Sequence, residues 1–118
     1  QDGMGALAAR PDLTATGVRL SPALAAEELA AGRAVAIDVR NQGERAARRV
    51  EPSLSIPLSQ LSRRLADVPA GRQVIVFCAG GYRSSLAASL LRRAGRADVA
   101  EIGGGIAAWE AAGLPVVS

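Results

Sequence analysis

The chemistry open to this chain converges on CAGGYR, residues 78 to 83, where the only cysteine is followed by two glycines and then an arginine. A thiol attacks as its thiolate, so a nucleophilic cysteine needs surroundings that favour negative charge. Gly80 and Gly81 permit backbone angles closed to other residues, which lets successive N–H groups turn towards one point and form an anion cradle. The positive end of a following helix and the Arg83 guanidinium add to that field. Cys78 is therefore the candidate nucleophile, and Ala79, Gly80, Gly81, Tyr82, Arg83 and Ser84 form its binding loop. The same donors would stabilise charge on a sulfur or oxygen held there. The plainer reading makes Cys78 a small core residue and the glycine pair a turn.

The missing residue types narrow the chemistry further. Without histidine the chain cannot supply a Ser-His-Asp triad, a Cys-His pair or a histidine-containing zinc site. With one cysteine it cannot form an internal disulfide, a CxxC redox pair or a cysteine-rich metal cage. No cofactor and no metal is expected. All 14 basic residues are arginine, giving a net charge of +3. They are scattered singly or in pairs such as Arg48-Arg49, Arg63-Arg64 and Arg92-Arg93, without an aromatic-interleaved stripe, so nucleic acid is not the expected partner. A modest positive field suits small anionic substrates or an acidic partner surface.

Hydrophobic residues make up 49% of the chain, yet no apolar run approaches the roughly 20 residues of a membrane-spanning helix. The opening QDGMGALAARPDLTATG lacks the basic-then-apolar pattern of an export signal, so a cytoplasmic setting is expected. Residues 1–17, with three glycines and a proline, read as a flexible leader or linker, and one domain is expected over residues 18–118.

The reactive loop must be held by its neighbours. QVIVFC, residues 73–78, reads as a buried strand, and YRSSLAASLLRRAG after it as a helix ending at Gly95. AVAIDV at 34–39 is a second strand covered on both faces. Ser21-Pro22 starts a helix that Gly32 ends. NQGERAARR suggests a short helix, SLSI at 53–56 a short strand, and Pro57 to Ala66 a helix with Leu58, Leu61 and Leu65 on one side. DVAEI at 98–102 is the last strand, and GGG at 103–105 leads into a helix that Gly113 and Pro115 stop. Strands alternating with helices imply an α/β fold, an open parallel sheet with helices on both faces. In such sheets, reactive groups collect beyond the carboxyl ends of the strands, where Cys78 falls. Trp109 reads as a core anchor.

IDVR at 37–40, Glu44, IPLSQL at 56–61, VIVFCAGGYRSSLAASLL at 74–91 and GGIAAWEAAGLPV at 104–116 together resemble the rhodanese, or sulfurtransferase, domains. The likeness covers most of residues 18 to 117. It implies a five-stranded parallel sheet flanked by helices. It also implies a sulfurtransferase in which Cys78 takes a sulfane sulfur from thiosulfate or a small persulfide, carries it as a persulfide on the N–H groups of residues 79–83, and passes it to a thiol or another nucleophilic acceptor. Arg40 then lines the pocket or pairs with an acidic neighbour such as Glu44. The CAGGYRSS loop and the Gly-Gly-Ile ending are most similar to rhodanese modules joined to metallo-β-lactamase-fold hydrolases and persulfide dioxygenases. Such a domain is the expected fused partner.

This chain departs from the family where ERAARRVEPSLSIP places Arg48 and Arg49 at the usual Gly-His pair. Ala79 is neutral where thiosulfate-preferring relatives often carry a basic residue, so thiosulfate is expected to be a poor donor. Two other readings compete. Cysteine-dependent phosphatases and arsenate reductases also use a backbone cradle and an arginine, but with five residues between them, where this loop has four. A non-catalytic binding or regulatory module would keep the fold, though such modules often lose the cysteine.

Overall fold

The computed structural model describes residues 18–118. The leader expected over residues 1–17 lies outside the described residues. In chain order the elements are β1 (Val18–Leu20), α1 (Pro22–Ala30), β2 (Ala34–Asp38), α2 (Gln42–Ala47), β3 (Leu54–Ser55), α3 (Leu58–Leu61), a 3-10 turn (Leu65–Asp67), β4 (Gln73–Phe77), α4 (Tyr82–Arg93), β5 (Val99–Ile102) and α5 (Gly105–Ala111). The strands form one sheet in the order β1-β5-β4-β2-β3, and every ladder is parallel.

Because strand side chains alternate between faces, the apolar runs of β2, β4 and β5 feed two cores at once. Ile37, Val74, Val76 and Val99 meet Ala87, Ala88 and Leu91 of α4 on one face. Ala36, Ile75, Phe77, Ala100 and Ile102 meet Ala25 of α1 and Ile106 and Trp109 of α5 on the other. Each fully buried Ile, Val or Phe side chain contributes about 1.5–3 kcal/mol by leaving water. Trp109 is buried, and its Nε1–H donates to the Pro115 carbonyl at 2.8 Å, which ties the chain after α5 to the core.

The local start and stop signals act as their chemistry requires. Ser21 Oγ accepts the Leu24 N–H at 3.2 Å with Pro22 in the first helical position. Asn41 and Glu44 form a reciprocal capping box at the start of α2.

Two elements differ from the sequence expectation. The helix expected from Pro57 to Ala66 is broken into α3 and the 3-10 turn, with Arg64 at φ −119 and ψ 27 between them. There the Arg64 guanidinium bonds Gln60, Asp67 and the Ser55 carbonyl, and the break allows both Leu61 and Val68 to be buried. The strand at β1 had no apolar period of its own. Its three residues are strand because they pair with Ala100, Glu101 and Ile102 of β5.

Candidate active site

Cys78 follows directly on β4, a strand flanked by β5 and β2, and its side chain is buried. The loop then folds back over it. Gly81, at φ +122, takes a backbone conformation that side chains disfavour, and this directs its N–H at Cys78 Sγ at 3.0 Å. The N–H of Ser84, in the first turn of α4, donates to the same sulfur at 3.3 Å. Burial pushes the thiol up, because desolvation disfavours the charged thiolate. Against it act the Ser84 N–H, the Ser84 hydroxyl, and the N–H groups of Gly81 and Gly80, and together they bring the thiol below its ordinary value. No imidazole is involved, and the backbone does most of the work.

From behind, α5 fixes the loop. The Ile106 and Ala107 N–H groups donate to the carbonyls of Cys78 and Ala79 at 2.9 and 3.1 Å, so those carbonyls face α5. This approach requires a glycine before Ile106. A Cβ on Gly105 would lie 2.4 Å from the Cys78 oxygen and 2.7 Å from the Ala79 oxygen. GGG at 103–105 marks a helix start in the sequence, but the contact of Gly105 with the loop carbonyls is tertiary and has no local signal.

The arginines take partners other than those expected. Arg83 donates from both terminal nitrogens to Glu44, at 2.6 and 2.8 Å, instead of presenting a bare cation to the sulfur. The Arg83 hydrogen bond is the main cause holding the Glu44 carboxyl at about 2, ahead of the opposing effect of its burial and the aid of the Asn41 N–H. Arg83 is held more strongly cationic, first by Glu44 and less by the Cys78 thiolate and Asp38. Arg40, for which Glu44 was the suggested partner, is instead buried against Asp38, with its Nε and one terminal nitrogen on the two carboxylate oxygens at 3.0 and 2.8 Å. The Arg40 backbone N–H also donates to Asp38 at 3.0 Å, and Arg45 adds a fourth contact at 3.3 Å. Because Asp38 cannot lose its hydration unpaired, Arg40 is the counter-ion that lets β2 end in a buried carboxylate. Arg40 also lines a cavity of about 250 Å³, with Glu44, Arg48, Ala79 and Ile106 among its walls. Ala79 is half-buried there, Gly80 is exposed, and Tyr82 is 78% exposed, so its ring faces solvent.

The altered segment around Arg48 and Arg49 is built into this wall. The Arg48 carbonyl accepts from Arg40, its guanidinium pairs with Glu110, and Arg49 exchanges backbone hydrogen bonds with Val117. A buried carboxylate was also missed. Glu101 of β5 is 2% exposed and accepts both the Ser84 and Ser85 hydroxyls. Its signal was available, since a carboxylate inside an otherwise apolar strand needs an explanation.

A cysteine at a parallel strand's carboxyl end, ringed by backbone donors, is the arrangement the quoted motifs imply. The family model described as "Rhodanese-like domain" matches residues 21–112. The chain belongs to the rhodanese-like domain family. A sulfurtransferase of Allochromatium vinosum is 33% identical over 70% of this chain and 77% of its own length. A Mycobacterium tuberculosis protein named as an HTH-type transcriptional regulator is 34% identical over 73% of this chain, which spans 38% of that longer protein. Among solved structures, a rhodanese-related protein of Thermoplasma volcanium has a TM-score of 0.78 at 28% identity, covering 85% of this chain and 97% of that one. The five-stranded parallel sheet with helices is thus the rhodanese-like fold, in a family that includes sulfurtransferases. Among the described residues no helix is long and apolar enough to cross a membrane.

Proposed function

We propose that this rhodanese-like domain is a sulfurtransferase that carries a sulfane sulfur on Cys78. The observation that supports this most is the Cys78 sulfur held at 3.0 and 3.3 Å by the Gly81 and Ser84 N–H groups, with its thiol below the ordinary value. In the first step the Cys78 thiolate attacks the outer sulfur of a donor, a small persulfide or thiosulfate. The donor's S–S bond breaks and the leaving thiolate or sulfite departs with the electron pair. Cys78 now bears a terminal sulfur anion, for which the Gly81 and Ser84 N–H groups beside the Cys78 sulfur are the nearest donors. In the second step an acceptor thiolate attacks that sulfur, the Cys78–sulfur bond breaks, and the Cys78 thiolate is restored. The sulfane sulfur changes carrier, and no external oxidant or reductant is required.

The cavity beside Ala79 contains no unpaired cation among its walls: Arg40 answers Asp38, Arg48 answers Glu110, and Glu44 is answered by Arg83. A dianion such as thiosulfate gains little there, which supports a persulfide as the better donor. The partners are then a small sulfur donor and a thiol acceptor, and an attached metallo-β-lactamase-fold domain would supply or consume such a persulfide.

Incubating the protein with glutathione persulfide or thiosulfate, removing excess donor and recording intact mass tests this. The wild type is expected to gain one sulfur atom, lost again on adding a thiol, whereas Cys78→Ser gains none and melts within about 2 °C of wild type. A wild type that stays unmodified overturns sulfur transfer. It would favour the second reading, a binding module, which the Mycobacterium relative supports because there the matched domain is a minor part of a protein named as a regulator.

A further inference from the structure

β5 reads Val-Ala-Glu-Ile and is buried along its whole length. Alternation places Glu101 on the same face as Val99, towards α4, where an apolar side chain would pack at no electrostatic cost. A carboxylate in that position is costly unless its oxygens are satisfied. Oε1 accepts two hydroxyls, from Ser84 at 3.1 Å and from Ser85 at 2.9 Å. Oε2 lies 3.9 Å from the Arg19 guanidinium, which also donates to Ser85 Oγ at 3.2 Å. Ser84 and Ser85 are consecutive residues in the first turn of α4. They also hold the loop: the single Ser84 hydroxyl proton is shared between Glu101 and the Gly81 carbonyl, 3.0 Å away, and the Ser85 N–H reaches that same carbonyl at 3.2 Å.

We infer that Glu101 is a positioning residue for Cys78: by clamping the Ser84 and Ser85 hydroxyls to β5 it keeps the Gly81 and Ser84 N–H groups aimed at the sulfur. The carboxylate does not touch the reacting atoms. It acts through α4, whose first turn it anchors to the strand beside β4, and so fixes the spacing between the helix that carries the donors and the strand that carries the thiol. A core side chain at position 101 would pack α4 but would leave that turn free to rotate about its axis. The inference rests on the reading of Cys78 as the sulfur carrier. Its test does not, because alkylation of the thiol requires no sulfur donor.

The experiment is the pH dependence of Cys78 alkylation by iodoacetamide in the whole chain, with thermal melting alongside. Glu101→Ala is expected to raise the apparent thiol pKa by about one unit, the scale of one weakened hydrogen bond to the thiolate. Glu101→Gln, whose amide oxygen can still accept from both serines, is expected to stay within about 0.3 unit of wild type. A folded Glu101→Ala protein with an unchanged thiol titration overturns the inference, and so does a Glu101→Gln protein whose thiol pKa rises as far as in the alanine variant, since keeping an acceptor for the two hydroxyls would then make no difference. Should Glu101→Ala fail to fold, the pair Ser84→Ala/Ser85→Ala and the triple variant adding Glu101→Ala decide it, because the triple leaves no buried polar partner stranded. Double and triple variants raised above wild type by the same amount support the clamp, and a double variant that titrates as wild type overturns it. A further shift in the triple overturns it.

Discussion

Both terminal nitrogens of Arg83 are engaged by Glu44, so the loop presents Cys78 with an ion pair and not with a free cation. Each member of the pair has an effect on the thiol that the other largely cancels. Removing Arg83 alone exposes the Glu44 carboxylate to the loop, and a like charge raises the energy of a thiolate. Arg83→Ala is therefore expected to raise the thiol pKa by about one unit. Adding Glu44→Gln, which keeps an acceptor and donor at the α2 cap, is expected to return it to within about 0.3 unit of wild type. Titrating alkylation rates in the two variants checks this, and a double variant as shifted as the single would show that Arg83 acts on the sulfur directly. Neither pairing around the site could be read locally. Arg83 and Glu44 are 39 positions apart, and the choice of Asp38 over Glu44 for Arg40 depends on how β2 ends inside the sheet.

At the scale of elements, the loop is shaped from two sides, by α4 ahead of it and by the first turn of α5 behind. Gly105 sits where α5 meets the loop, at φ +65 and with the Cys78 and Ala79 carbonyls in the space a Cβ would need. Those neighbours are backbone atoms of a loop already bonded to Ile106 and Ala107, so they cannot simply move aside. Gly105→Ala is expected to destabilise the fold by about 2–4 kcal/mol, through backbone strain and overpacking. It should also slow Cys78 alkylation at neutral pH, because the donors shift with the loop. Denaturant unfolding and alkylation rates together check it, and a variant of wild-type stability would place the loop elsewhere. The elements that were legible are those whose signals are local: the apolar runs of β2 and β4, the serine-proline start of α1, the glycine after α4. β1 was not legible from its residues, because only pairing with β5 makes it a strand. The break after α3 was hidden for a related reason: the helical spacing of Leu58, Leu61 and Leu65 is real, but burying Leu61 and Val68 together favours a turn. Cys78 and its glycines stand out in the sequence, whereas Glu101 lies in a strand whose other residues are apolar, and its partners Ser84 and Ser85 come from another element.

Across the whole molecule the excess of arginine is largely a supply of partners for carboxylates, from Arg33 with Glu28 to Arg64 with Asp67. The pairs differ in what they contribute. Glu28 is lowered by Arg33, but in a pair open to water and salt, which weakens such effects. Glu44 is partly covered, 31% exposed, and lies about 2 against an ordinary 4.5. A carboxyl with a depressed folded pKa binds fewer protons folded than unfolded as the pH falls, so acid favours the unfolded chain. The stabilisation from Glu44 is thus complete above about 4.5 and is lost as the pH drops through about 2. After discounting for its exposure, that amounts to about 1–2 kcal/mol. The melting temperature is expected to be level from neutral pH to about 5, then to fall steeply towards pH 2, and Glu44→Gln should fall less over the same range while starting lower. Calorimetry at high ionic strength, which suppresses the exposed Glu28 pair, separates the two contributions. Identical slopes in wild type and Glu44→Gln would mean that the Arg83 pair places the loop without stabilising the fold, and the acid sensitivity would then have to come from other carboxylates.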